Sequence, residues 1–137
     1  NNPPANNMYS LWMHEVGVDQ NINNTLTAIP SHFETGSLSM LTSGDNNKPG
    51  IDRWTYQYRI EPDFKQTVTM ELTVNGRKYA NSPNVVSVPY SFTNTTEKIP
   101  LREQRRQMYL RFSSNIVGGN YEMGNTLMVI KTGDGRQ

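Results

Sequence analysis

From Arg53 to Glu61 large apolar and polar residues alternate, with Trp54, Tyr56, Tyr58 and Ile60 set against Arg53, Thr55, Gln57, Arg59 and Glu61. A period of two marks a strand with one covered face, so the three aromatics and Ile60 are predicted to point into a core. After Pro62-Asp63-Phe64 the pattern repeats: Val68, Met70, Leu72 and Val74 on the inner face, Thr67, Thr69, Glu71 and Thr73 on the outer. That run ends in Asn75-Gly76, a dipeptide suited to the positive φ angles of a two-residue hairpin turn, with Arg77 to Ala80 returning along it.

Further on, Val86, Val88, Tyr90 and Phe92 alternate with Ser87, Pro89, Ser91 and Thr93. Pro89 has no N–H to give to a ladder, which places this strand at an edge or bulge. Met108, Leu110 and Phe112 alternate with Tyr109 and Arg111; the turn Gly118-Gly119-Asn120 then leads through Tyr121-Glu122-Met123-Gly124 to Leu127-Met128-Val129-Ile130-Lys131. The last run is apolar on both sides and reads as a central strand. Tyr9 to Val16 and Gly36 to Leu41 are weaker strand candidates, separated by the polar stretch Asp19 to Thr25. The segment Pro100 to Gln107 fits either a short helix, marginal alone at this length, or an extended approach to the next strand.

Short strands divided by Gly, Pro and Asn turns predict an all-β fold, an antiparallel β-sandwich of about seven to nine strands. No unit repeats at a fixed period, which argues against a complete propeller or solenoid within these residues. Residues 1–7, Asn-Asn-Pro-Pro-Ala-Asn-Asn, read as a linker or upstream connection, and residues 8–137 as one domain.

Composition sharpens this picture slightly. Hydrophobic residues make up 34% of 137, with Asn, Thr and Ser abundant, a balance that suits strands with one wet face. A net charge of +1 gives no whole-molecule field for nucleic acid or a membrane surface. The absence of cysteine removes disulfides, cysteine-ligated zinc and thiol catalysis. No apolar run approaches the roughly 20 residues that span a bilayer, so membrane insertion is not expected.

Catalytic chemistry finds few handles. His14 and His32 lie in separate segments without the spacing of a tetrahedral zinc site. Asp19, Asp45, Asp52, Asp63 and Asp134 sit beside turn residues or at strand margins, where aspartate bonds backbone N–H groups. Asp45-Asn46-Asn47-Lys48 lacks the spaced acidic ligands of a calcium loop. Val117-Gly118-Gly119-Asn120 lacks the lysine and helix of a phosphate cradle. No catalytic residue, metal ligand or cofactor is assigned, and an enzyme is not expected.

The one local charge feature is basic: Lys98, Arg102, Arg105, Arg106 and Arg111, offset by Glu97 and Glu103. It fits a solvated strand face with local ion pairs, a subunit interface exploiting the planar guanidinium fork, or a surface beside DNA. These five residues and the edge at Pro89 are the candidate interface.

Several short motifs follow one another in a familiar order: Arg59-Ile60-Glu61-Pro62-Asp63-Phe64-Lys65, Gly76-Arg77-Lys78-Tyr79, Tyr90-Ser91-Phe92-Thr93, Thr96-Glu97-Lys98-Ile99, Arg102-Glu103-Gln104-Arg105-Arg106-Gln107, Arg111 to Asn115, Tyr121 to Gly124 and Gly133 to Arg136. The series resembles the C-terminal region of structural proteins of tailed bacteriophages, namely tail hub, nozzle and packaged-DNA stabilisation proteins. His14-Glu15-Val16-Gly17 and Phe33-Glu34-Thr35-Gly36 resemble the segment preceding that region, so the resemblance spans roughly residues 12 to 136. Arg105 stands where such proteins often carry a glycine before an Arg-Gln pair. The resemblance implies a virion protein of the tail or neck, attached to a propeller-like platform in a longer chain. It also implies a homo-oligomeric ring around the DNA exit channel, with other virion proteins as partners and DNA nearby without sequence-specific contact.

A carbohydrate-binding β-sandwich is the alternative from a different class, with Trp12, Trp54 or the tyrosines as a stacking platform. A hydrolase would require a carboxylate pair across a cleft. Position separates the first two readings, since a sugar platform needs two or more aromatics exposed together, whereas the phase of Trp54, Tyr56 and Tyr58 predicts a core.

Overall fold

A computed structural model of the chain describes residues 17–38 and 54–133. Twelve strands run β1 (Asp19–Ile22), β2 (Thr25–Ala28), β3 (Ser31–Glu34), β4 (Trp54–Glu61), β5 (Phe64–Gln66), β6 (Met70–Arg77), β7 (Val85–Val86), β8 (Tyr90–Phe92), β9 (Ile99–Arg105), β10 (Gln107–Ser114), β11 (Tyr121–Met123) and β12 (Leu127–Gly133). All pairings are antiparallel. One sheet has the order β3-β10-β6, with β7 and β8 both on the far side of β6; a second has the order β12-β4-β9; β5 pairs with β11. The fold is an all-β sandwich, with more and shorter strands than the sequence pattern marks out.

Alternation in β6 and β10 builds the core. Met70, Leu72 and Val74 are buried while Glu71 is exposed and Thr73 half-buried, and Met108, Leu110 and Phe112 are buried opposite them. Ile60, Ile99 and Leu101 complete this core from the second sheet. At one end Phe64 packs against Phe92 and Phe112, with ring centroids 5.3 and 5.0 Å apart. Offset and edge-on contacts of this kind add to simple area burial.

The ambiguous segment Pro100 to Gln107 is extended. Ile99 to Arg105 pairs with β4, and after Arg106 the chain crosses directly into β10 of the other sheet. The Arg106 N–H donates to the Arg77 carbonyl at 3.0 Å, which ties this corner to the end of β6. A helix at this length had no apolar stripe to bury, whereas the strand buries Ile99, Leu101, Glu103 and Arg105 on one face.

Asn75-Gly76 does not form the hairpin turn. Both residues lie within β6, paired with Tyr109 and Met108 on one side and Val86 and Val85 on the other. Among the described residues Gly17 and Gly118 have positive φ, and Gly76 does not. Its requirement is steric: a Cβ at Gly76 would fall onto the Gln107 carbonyl oxygen and lie 3.0 Å from Arg105 Cγ, where the corner crosses β6. The chain reverses instead over Lys78 to Asn84, with the Ser82 N–H donating to the Tyr79 carbonyl at 3.0 Å.

The phase of β4 is also corrected. Arg59 and Gln57 pair with the consecutive residues Val129 and Ile130 of β12, leaving Tyr58 as an extra, bulged residue on β4, whereas in the ladder to β9 the extra residue lies on β9 between Pro100 and Glu103. Before the bulge Thr55 and Gln57 are buried; after it Ile60 is. An extra residue in one strand inverts the alternation, so Trp54, Tyr56 and Tyr58 do not enter the core. Trp54 packs edge-on against Tyr79, centroids 5.4 Å apart.

Three further expectations change. Leu127 to Lys131 belongs to β12, which pairs with β4 alone among the described residues, so it is an edge strand and not a central one. Val86 and Val88 are exposed, although Phe92 in the same run is buried. The polar stretch Asp19 to Thr25 is a hairpin: Asn23 and Asn24 have φ of 51° and 62°, and Ile22 pairs with Thr25 across them. Two consecutive positive φ angles are what a type I′ turn requires, and asparagine tolerates them. Ser31 to Glu34 is a strand, and Leu38 forms a single bridge to Met108. The candidate strand Tyr9 to Val16, the linker 1–7, the second half of Gly36 to Leu41 and the loop Asp45 to Lys48 lie outside the described residues.

Candidate functional site

The five basic residues do not form one patch. Arg105 is buried, its Nη2 lying 2.8 Å from Glu103 Oε2 and its Nη1 donating to the Gln104 carbonyl at 2.9 Å. Arg106 is half-buried at the corner, and Arg111 on β10 pairs across the sheet with Glu34 at 3.4 Å. Lys98 is exposed ahead of β9, and Arg102 is exposed between buried Leu101 and Glu103. Arg105 is therefore committed to holding the domain together, and Arg102 and Arg111 belong to different sheets.

Around Arg105 the interior is polar. Thr55 and Gln57 are buried on β4 as cross-strand neighbours of Arg105 and Glu103. The Tyr90 hydroxyl donates to Glu103 Oε1 at 2.9 Å, so each carboxylate oxygen has its own donor. Burial, followed by the bond to Glu103 and its charge, pushes the Tyr90 phenol up to about 12 from 10.0. A carboxylate satisfied by an arginine and a phenol suits a structural ion pair, which would be costly to break and contributes little to stability compared with an apolar replacement.

The aspartates that can be placed serve turns, as expected. Both Asp19 carboxylate oxygens accept the Gly118 N–H, at 2.7 and 2.9 Å, and tie the β1–β2 hairpin to the Gly118-Gly119 turn. Asp63 accepts the Asn125 N–H at 3.0 Å through its side chain and the Gly124 N–H at 2.7 Å through its carbonyl. His32 is exposed on β3, and His14, Asp45, Asp52 and Asp134 lie outside the described residues. Among the described residues no three His, Cys, Asp or Glu side chains gather as a metal site, and no helix is long and apolar enough to cross a membrane.

The edge at Pro89 has a distinct construction. β7 and β8 are two pieces of one edge, both paired with β6 and interrupted at Ser87-Val88-Pro89. Ser87 bridges the gap: its N–H donates to the Val74 carbonyl and its Oγ accepts the Val74 N–H, both at 2.9 Å. Ordinary alternation would bury one valine set here. Instead Val85, Val86 and Val88 are 40%, 61% and 71% exposed, beside exposed Pro89.

Two tyrosines that the sequence pattern assigns to the core form a second surface instead. On the outer side of β4, the Tyr56 and Tyr58 rings lie nearly parallel, 17° apart with centroids separated by 6.3 Å. Lys131, the cross-strand neighbour of Tyr56, places its Nζ 5.0 Å from the Tyr56 centroid and 5.9 Å from that of Tyr58. No glycine or proline in Trp54–Glu61 announces the bulge that turns these rings outward. The chain matches no known protein-family model and no curated protein.

Proposed function

We propose that this domain is a structural component of a tailed-phage virion, in the tail or neck, and that it works by contact with neighbouring subunits of a homo-oligomeric ring. The observation that carries the assembly reading is the row of exposed valines, Val85, Val86 and Val88, on the β7–β8 edge. Exposed apolar side chains at a strand edge favour pairing with another chain, and native edges are normally guarded by charge. Here Pro89 and the Ser87 bridge interrupt the edge, so a neighbour is held by side-chain packing more than by a continuous ladder. The virion assignment rests on the motif resemblance between Arg59 and Arg136.

In this reading the exposed Lys98 and Arg102 supply polar contacts to a neighbouring subunit, while Arg105 maintains the fold. Native mass spectrometry of the full chain over a concentration series tests the reading. Discrete multiples of the 15.6 kDa chain support it. A monomer throughout, combined with absence of the chain from purified particles, would remove it.

A further inference from the structure

We propose that the outer face of β4 and β12, at Tyr56, Tyr58 and Lys131, binds an acidic oligosaccharide, a sugar chain carrying carboxylates. This goes beyond the assembly role and uses a different surface. Sugar rings present apolar C–H faces that pack on aromatic rings, and one exposed ring backed by a half-buried neighbour offers such a surface. Tyr56 and Tyr58 supply it through the bulge, with Tyr58 40% exposed and Tyr56 half-buried beside it.

Lys131 sets the charge of the ligand. Its ammonium is held against Tyr56 at 5.0 Å and lies 5.9 Å from the Tyr58 centroid, so a sugar packed on the exposed Tyr58 ring brings its carboxylate to a cation already in place. The same observations disfavour a nucleic-acid strand. Arg59, the cation nearest in sequence to the tyrosines, is paired with Glu61 at 2.9 Å, and the chain has a net charge of only +1. Strand binding draws its affinity from a row of phosphate contacts, whereas a uronate or sialate needs one well-placed cation.

Isothermal titration of the full chain with trigalacturonate and 3′-sialyllactose, against maltotriose, lactose and a twelve-residue oligothymidylate, tests the proposal. At least one acidic sugar should bind saturably, more tightly than its neutral counterpart. Lys131→Gln should weaken that binding about tenfold or more while leaving the fold intact, since a charge-assisted bond is lost. Tyr58→Ala should weaken it as well. Failure of both acidic probes to bind, equal binding of neutral sugars, preference for the oligothymidylate, or indifference to both substitutions would each overturn it.

Discussion

The Tyr90 hydroxyl donates to Glu103 across the sandwich at 2.9 Å, leaving the second carboxylate oxygen to Arg105 at 2.8 Å. This three-residue chain joins the edge strand β8 to β9 and sets the polar end of the interior. With the folded phenol raised to about 12 from 10.0, the native state holds the proton that the unfolded chain releases first. The contribution of Tyr90 is therefore fully present below about pH 10 and is lost as pH rises through about 12. Tyr90→Phe should cost about 1 kcal/mol in urea melts at pH 8. The gap between wild type and variant should narrow between pH 10 and 12; a gap constant over that range would contradict the assignment.

Arg105 and Arg102 stand three residues apart and should behave oppositely. Arg105→Ala leaves Glu103 buried with its charge unpartnered on one side, a change that costs about 3–5 kcal/mol. Arg102→Ala, on an exposed position, should change stability by less than about 0.5 kcal/mol. Denaturant midpoints of the two variants check the contrast, and similar losses for both would show that Arg105 is not a buried ion-pair partner.

Gly76→Ala should destabilise by about 1–3 kcal/mol, because the added methyl meets the Gln107 carbonyl and the Arg105 stem at the corner. Leu72→Ala, two strand turns away in the closed core, should cost about 2–5 kcal/mol through the cavity left behind. If Gly76→Ala melts like wild type, the corner is looser than described.

These contrasts show where sequence suffices. Leu72 and Phe112 could be placed inside because β10 alternates along its whole length and β6 does so from Met70 to Val74. Pro89 marked an edge because a missing N–H has one consequence. Gly76 was misread because a glycine serves both a positive φ and a close backbone approach, and local sequence does not separate them. Tyr58 was misplaced because its bulge is set by pairing with β12, distant along the chain, and one shifted residue moves Trp54 and Tyr56 with it. Arg105 looked like surface charge until its partner Glu103, two residues earlier on the same strand face, proved to be buried beside it. The Asn23-Asn24 turn did carry a readable signal, two asparagines between short strands, hidden by the polarity of β1.

The assembly claim is tested most directly by introducing charge at the valine edge. Val86→Asp with Val88→Asp alters two side chains that are 61% and 71% exposed, so the domain should stay folded, with an unchanged β-sheet circular dichroism spectrum. Sedimentation velocity of the wild-type chain should show an oligomer, and the double variant should sediment as a folded monomer. An oligomer of unchanged size in the double variant, or a wild-type chain that is monomeric at every concentration, would contradict the account.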